Sequence, residues 1–232
     1  MPVTRLMPDE IGDDLISLVR EIVDKEMRPR VDAAEAAAAH GAQLPRDIFT
    51  TLGAAGLLSL PYPEEFGGGA QPYATYLQVI EEIGSAWMSV AVGTSVHSLT
   101  CFPVATYGSP EQQAALLPAM LSGTQLGAYC LSEPLAGSDI GSMATRAERD
   151  GTAYVLNGTK SWISHAGHAD FYTTFARTSA DGGPSGAGVE AIRRAVYGCA
   201  GLSKMRAVGA VSTTCPACMT TMRWQYSAAS AR

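Results

Sequence analysis

A change of period partway along the chain is the strongest constraint on what it can fold into. Up to about residue 123 the apolar residues recur at helical spacing, and from residue 124 they alternate as strands do. Ile11, Leu15, Leu18, Ile22 and Val31 share one side of a first helical stretch. The run "AAEAAAA" (33–39) prolongs helix-forming sequence with little to pack, and His40-Gly41 marks its end. "LPRDIFTTLGAAG" restarts a helix with Pro45 at the first turn and Gly56 as the stop. "PYPEEFGGG" (61–69) is loop by composition, and residues 73–83 and 85–107 read as two helices parted near Gly84. In "SPEQQAALLPAMLSG" (109–123), Ser109 caps a helix, Pro110 takes its first position, Gln112 completes a capping box and Gly123 ends it.

"QLGAYCLS" then reads as a strand. "AYVLNGTKSWIS" (153–164) reads as a hairpin turning at Asn157-Gly158, and "DFYTTFAR" (170–177) as a further strand. Helices first and strands second predict an α+β chain: an N-terminal all-α helical domain (1–123) followed by a small antiparallel β domain (124–179). From about residue 180 no period persists, and residues 180–232 read as a divergent, poorly ordered tail whose Cys, Met and Arg usage resembles coding sequence read in a shifted frame.

Composition narrows the function. A net charge of -6 argues against nucleic acid as a main partner. The acidic start and the lack of an unbroken apolar run near 18 residues point away from a signal peptide and a membrane span. Five cysteines, an odd number in a chain too long to need stapling, suit reduced thiols and a cytoplasmic location. "CPAC" (215–218) is a lone C-x-x-C, and His165 and His168 lack further ligands, so no metal site is expected. His97, alone on a helix, reads as a packing or hydrogen-bond residue, and His165 and His168 as exposed polar loop.

The chemistry-bearing stretch is "AYCLSEPLAGSDIGSM" (128–143). Pro134, Gly137 and Gly141 allow sharp bends and close approach of a ligand to the backbone, while Ser132 and Ser138 offer hydroxyls. A loop that satisfies its own backbone has the same composition. The second cluster, "TKSWISHAGHADF" (159–171), sets Trp162 between Ser161 and Ser164. A strand Trp belongs to the core more often than to a ligand wall, but both clusters sit at strand ends of one small domain.

In order, "AYCLSEPLAGSDIGS" and "YVLNGTKSWIS" resemble the paired signatures of the acyl-CoA dehydrogenases, and "YPEEFGGG" and "VHSLTCFPVATYGSPEQQAALLPAMLSG" resemble that family's helical half. The resemblance runs from about residue 10 to 179. It implies FAD-dependent oxidation of an acyl-CoA thioester to the trans-2-enoyl-CoA, with the flavin as hydride acceptor. It also implies that Tyr129, Leu131 and Ser132 line the flavin, that Trp162 packs on the ring system, and that Ser164 approaches N5. Ser132 and Ser164 each stand where Thr is usual. Gly137 and Ser138 would meet the thioester and pantetheine. Glu133 falls on a structural glutamate of the signature, so neither it nor a Glu133–Asp139 pair is expected to act as base.

The same resemblance places the base in a C-terminal helical domain that this sequence does not contain, so the β domain is expected to be incomplete and no catalytic residue is assigned. Electron-transfer flavoprotein is the implied acceptor and a homo-oligomer the implied assembly. The competing expectations are a catalytically incompetent flavin- and CoA-binding fragment, or a subunit that needs a partner chain. An acyl-CoA oxidase on the same frame is a third.

Overall fold

The structure, a computed structural model, describes residues 10–40, 45–150, 153–177, 196–199, 219–220 and 224–225. It divides into two units, Met1–Gln125 and Leu126–Arg232.

In the first unit, α1 (Glu10–Ile22) continues into a one-turn π segment (Val23–Met27). It buries Ile16, Val19, Val23 and Met27 along one face, and Arg20 reaches Glu82 at 2.7 Å. Helix α2 (Val31–Ala38) buries none of its residues, as its alanine run predicts. Helix α3 (Arg46–Ala54) begins after Pro45 and buries Ile48, Phe49 and Leu52. Gly56 stops it at φ +73°.

The helix α4 (Tyr73–Ala86) runs through Gly84, contrary to the expected break there. The chain parts instead at Trp87, at φ -149° and ψ 93°. Leaving the helix there seats the Trp87 indole in the core, where its N–H donates to the Glu35 carboxylate at 2.6 Å. A Cβ added at Gly84 would stand 3.5 Å from the Ala91 methyl, an ordinary van der Waals contact, and the position needs no departure from helix.

Helix α5 (Met88–Tyr107) has the length and apolarity of a membrane span, yet it is the central helix of this unit, burying Val90, Ala91, Thr94, His97, Cys101 and Val104. Helix α6 (Pro110–Leu121) carries the predicted capping box in full. Its Ser109 hydroxyl accepts from Gln112 N, and Ser109 N donates to the Gln112 side-chain Oε1. Gly123 follows at φ +73°.

The second unit is built of short strands: β1 (Gly127–Cys130), β2 (Arg146–Asp150), β3 (Ala153–Asn157), β4 (Lys160–Ser161), β5 (Phe171–Thr174), β6 (Val196–Cys199), β7 (Met219–Thr220) and β8 (Trp224–Gln225). They pair as β1-β5-β6, β2-β3-β8 and β4-β7. Among the described strands every pairing but one is antiparallel. β1 and β5 run parallel, Gly127 opposite Phe171 through Cys130 opposite Thr174.

The hairpin expected at Asn157-Gly158 does not form. β3 pairs backward with β2, Asp150 opposite Ala153, so the chain reverses before β3 rather than after it. Gly158 is instead required by crowding, since a Cβ there would stand 2.2 Å from Thr145 Oγ1 and 2.6 Å from Thr145 Cα. Beyond residue 180 the described residues are the strands β6, β7 and β8; the rest of that tail, Cys215 and Cys218 included, lies outside the described residues.

Candidate functional site

Two segments of the β unit meet edge to edge. The first leaves β1 at Leu131 and Ser132 and turns tightly through Glu133-Pro134-Leu135-Ala136. Glu133 N donates to Ala136 O at 2.8 Å and Ala136 N returns to Glu133 O at 3.2 Å. Pro134 supplies the fixed φ of the second turn position. The second segment is β4 and the loop after it. Ser161 N donates to Ser132 O at 2.9 Å, which sets Ser132 beside the strand that delivers Trp162.

Trp162 is 62% exposed. Its φ of +62° puts a bulky side chain in left-handed backbone, where L-residues are strained. Next to it Ile163 is buried against Ala128, Cys130 and Tyr172, so the chain is anchored while the indole stays outside. Ser132 and Ser164 are half-buried, and their hydroxyls make no hydrogen bond among the described residues. The Ser161 hydroxyl is buried and likewise unpartnered. An exposed strained indole beside two unused hydroxyls is the arrangement a flat polar ring would fill, and the residues present fit a flavin.

Tyr129 and Leu131 are half-buried against the Ala136, Met143 and Phe175 cluster, with the Tyr129 ring edge-on to Phe175 at 5.0 Å. Burial raises the Tyr129 phenol above its usual value. Gly137 and Ser138 are exposed on the following turn. Asp139 accepts the Ser142 hydroxyl at 2.5 Å within its own loop.

Glu133 points inward. Its carboxylate accepts from Ala144 N at 2.6 Å, Thr145 N at 3.0 Å and Lys160 Nζ at 2.8 Å. Burial works against its charge, but donation from Lys160, Thr145 and Ala144 outweighs it and holds the carboxyl below the usual glutamate range. Lys160, pulled down from the usual lysine value by burial, also donates to Leu131 O at 3.0 Å. Arg177 clamps the far side of the same loop, giving Nε to Met143 O at 2.5 Å and Nη2 to Gly141 O.

Sequence reasoning passed over Lys160 and Arg177. A lone lysine in the strand "TKSWIS", in a chain with a signature glutamate, was the available signal for the first. For His165, the expectation of an exposed polar loop is corrected: it is half-buried at φ +64°, and its Nδ1 lies 2.9 Å from Gly127 O. Holding the loop against β1 requires that inward position. His97 is fully buried, its Nε2 2.8 Å from Met120 O. Among the described residues no group of three His, Cys, Asp or Glu could hold a metal ion.

Residues 11–124 match the family model of the acyl-CoA dehydrogenase N-terminal domain, and 128–213 match that of the acyl-CoA dehydrogenase middle domain. The chain belongs to the acyl-CoA dehydrogenase family. An acyl-CoA dehydrogenase of Bacillus subtilis (strain 168) is 36% identical over 170 residues, 73% of this chain and 44% of its own length. The human mitochondrial short-chain specific acyl-CoA dehydrogenase is 38% identical over 165 residues, 71% of this chain and 39% of its own. A Mycobacterium smegmatis glutaryl-CoA dehydrogenase solved in complex with FADH2 superposes with a TM-score of 0.68 at 32% identity, covering 74% of this chain and 44% of that one. This acyl-CoA dehydrogenase chain therefore spans less than half the length of these relatives.

Proposed function

We propose that the chain carries flavin- and substrate-binding elements of an FAD-dependent acyl-CoA dehydrogenase, the enzyme class that converts an acyl-CoA thioester to its trans-2-enoyl-CoA. Trp162 carries the reading: an indole held outside the core in strained backbone has a purpose only if something covers it. FAD, when bound, supplies the hydride acceptor. Trp162 would cover its ring system, Ser132 and Ser164 would donate hydroxyl hydrogen bonds to it, and Tyr129 and Leu131 would wall it from the side. Gly137 and Ser138, exposed on the adjoining turn, would meet the thioester arm.

In the helical unit, α4 and α5 form an open apolar groove of about 530 Å³ along Ile80, Gly84, Met88, Ala91 and Val92. Electron-transfer flavoprotein is the proposed acceptor and a homo-oligomer the proposed assembly. The free, buried Cys101 and Cys130 suit a cytoplasmic setting.

A second reading has support of its own. Glu133 is buried and held by three donors, which suits a structural carboxylate and not a base facing substrate. The chain would then bind flavin and CoA while another chain supplies the base. The visible spectrum of the purified chain separates the two. A stoichiometric flavin band that bleaches on adding acyl-CoA supports the enzyme, a flavin band that persists supports the binding subunit, and a colourless chain overturns both.

A further inference from the structure

Glu133 and Lys160 form a buried ion pair directly behind the two segments proposed to face the flavin. Their side chains are 4% and 5% exposed and their charges 2.8 Å apart. Each charge also holds backbone. Glu133 gathers the amides of Ala144 and Thr145, and Lys160 gathers the carbonyl of Leu131. One pair therefore ties three stretches of chain: the exit of β1, the end of the Gly137–Ser142 loop, and β4. The side chains left outside this tie are Ser132 and Trp162, joined through the Ser161 N to Ser132 O bond.

A buried ion pair is a poor source of stability, because desolvating two charges offsets most of their attraction. It is a good source of uniqueness, since neither charge can leave its partner or its backbone ligands without being stranded. Left-handed backbone at Trp162 and His165 demands that the surroundings over-determine this loop.

We infer that Glu133 and Lys160 are positioning residues: their ion pair sets the spacing between the Ser132 edge and the Trp162 face of the flavin cradle. The inference rests on the flavin-binding reading above. It assigns the pair no contact with flavin or substrate. Its effect passes through the backbone, and a misplacement of about 1 Å at such a site can cost a hundredfold in rate.

The test compares the full chain with Trp162→Ala, with Glu133→Gln combined with Lys160→Met, and with Lys160→Arg. FAD affinity is read from quenching of flavin fluorescence, the flavin absorption envelope from the visible spectrum, and folding from far-ultraviolet circular dichroism and urea unfolding. The double variant is expected to keep the wild-type dichroism and cooperative unfolding, to bind FAD at least tenfold more weakly, and to give the featureless band of flavin in water. Lys160→Arg keeps the charge but forces a larger, planar guanidinium into the sealed space, so it is expected to keep the fold and still weaken FAD binding.

A folded double variant with wild-type affinity, while Trp162→Ala binds poorly, overturns the inference and leaves the reading intact. A wild-type chain that binds no FAD overturns the reading, and the inference with it. Should the double variant fail to fold, Glu133→Gln combined with Lys160→Gln, a neutral polar pair that strands no charge, is held to the same expected loss and is overturned by the same unchanged affinity.

Discussion

The Lys160 ammonium lies 2.8 Å from the Glu133 carboxylate across 27 residues of sequence, and both are sealed from solvent. The pair joins the turn after β1 to β4, so the two segments that carry the family signatures are tied directly to each other. It also removes Glu133 from the chemistry. A buried carboxylate held by two amides and an ammonium is kept ionised and away from solvent, which disfavours its taking a substrate proton.

The pair makes the β unit acid-sensitive. The Glu133 carboxyl titrates below its ordinary value of 4.5 in the folded chain, so its contribution is complete above pH 4.5 and lost as pH falls through the folded value. Urea midpoints followed from pH 7 down to pH 3 should fall in that window for wild type, and less steeply for Glu133→Gln. At pH 7, Glu133→Gln strands Lys160 and should cost about 3 kcal/mol or more.

Trp162→Gly should separate stability from binding. Glycine relieves the left-handed backbone at φ +62°, which costs an L-residue about 1 kcal/mol, and the exposed indole contributes little packing in return. Unfolding is expected to shift upward by about that amount while FAD affinity drops. Thermal unfolding and flavin titration of one sample check both halves.

Two glycines should behave oppositely. Gly158→Ala would drive a Cβ to 2.6 Å from Thr145 Cα, a backbone clash expected to cost about 1–3 kcal/mol. At Gly137 an added Cβ meets nothing within 4 Å, so Gly137→Ala should leave unfolding within about 0.5 kcal/mol of wild type. Weakened CoA-thioester binding by a stably folded Gly137→Ala would place a ligand against that backbone.

The thiols of Cys101 and Cys130 are expected to be inert. Burial pushes each up to about 12. Iodoacetamide at pH 8 followed by peptide mass spectrometry should find both unmodified in the native chain and both modified in urea.

Ser109→Ala should remove the capping box of α6, leaving Gln112 N without its side-chain acceptor and costing about 1 kcal/mol. The loss should appear in urea unfolding followed by circular dichroism.

Local features were legible in advance because their causes are local. Ser109, Pro110, Gln112 and Gly123 act within one or two turns of α6, and Gly56 ends α3 through its own φ. Helix followed by strand was equally readable, since periodicity is a property of the run itself. Gly84 misled because a glycine breaks a helix only when nothing favours continuing. Here the buried Trp87 chose the break three residues later. Asn157-Gly158 misled because a turn-forming pair needs two flanking strands that prefer each other, and β3 pairs with β2 and β8 instead.

The amino-acid order alone determined the helical half, the strand half, the helix caps and the two signature segments that carry the family likeness. Tertiary structure decided what those segments do to each other. The parallel union of β1 with β5, the crowding of Gly158 on Thr145, and the capture of Glu133 by Lys160 are contacts across 13 to 44 residues. Burial selects such contacts from many that the composition permits: a glutamate and a lysine are soluble charges in the sequence, and become a buried lock only where the fold removes the water between them.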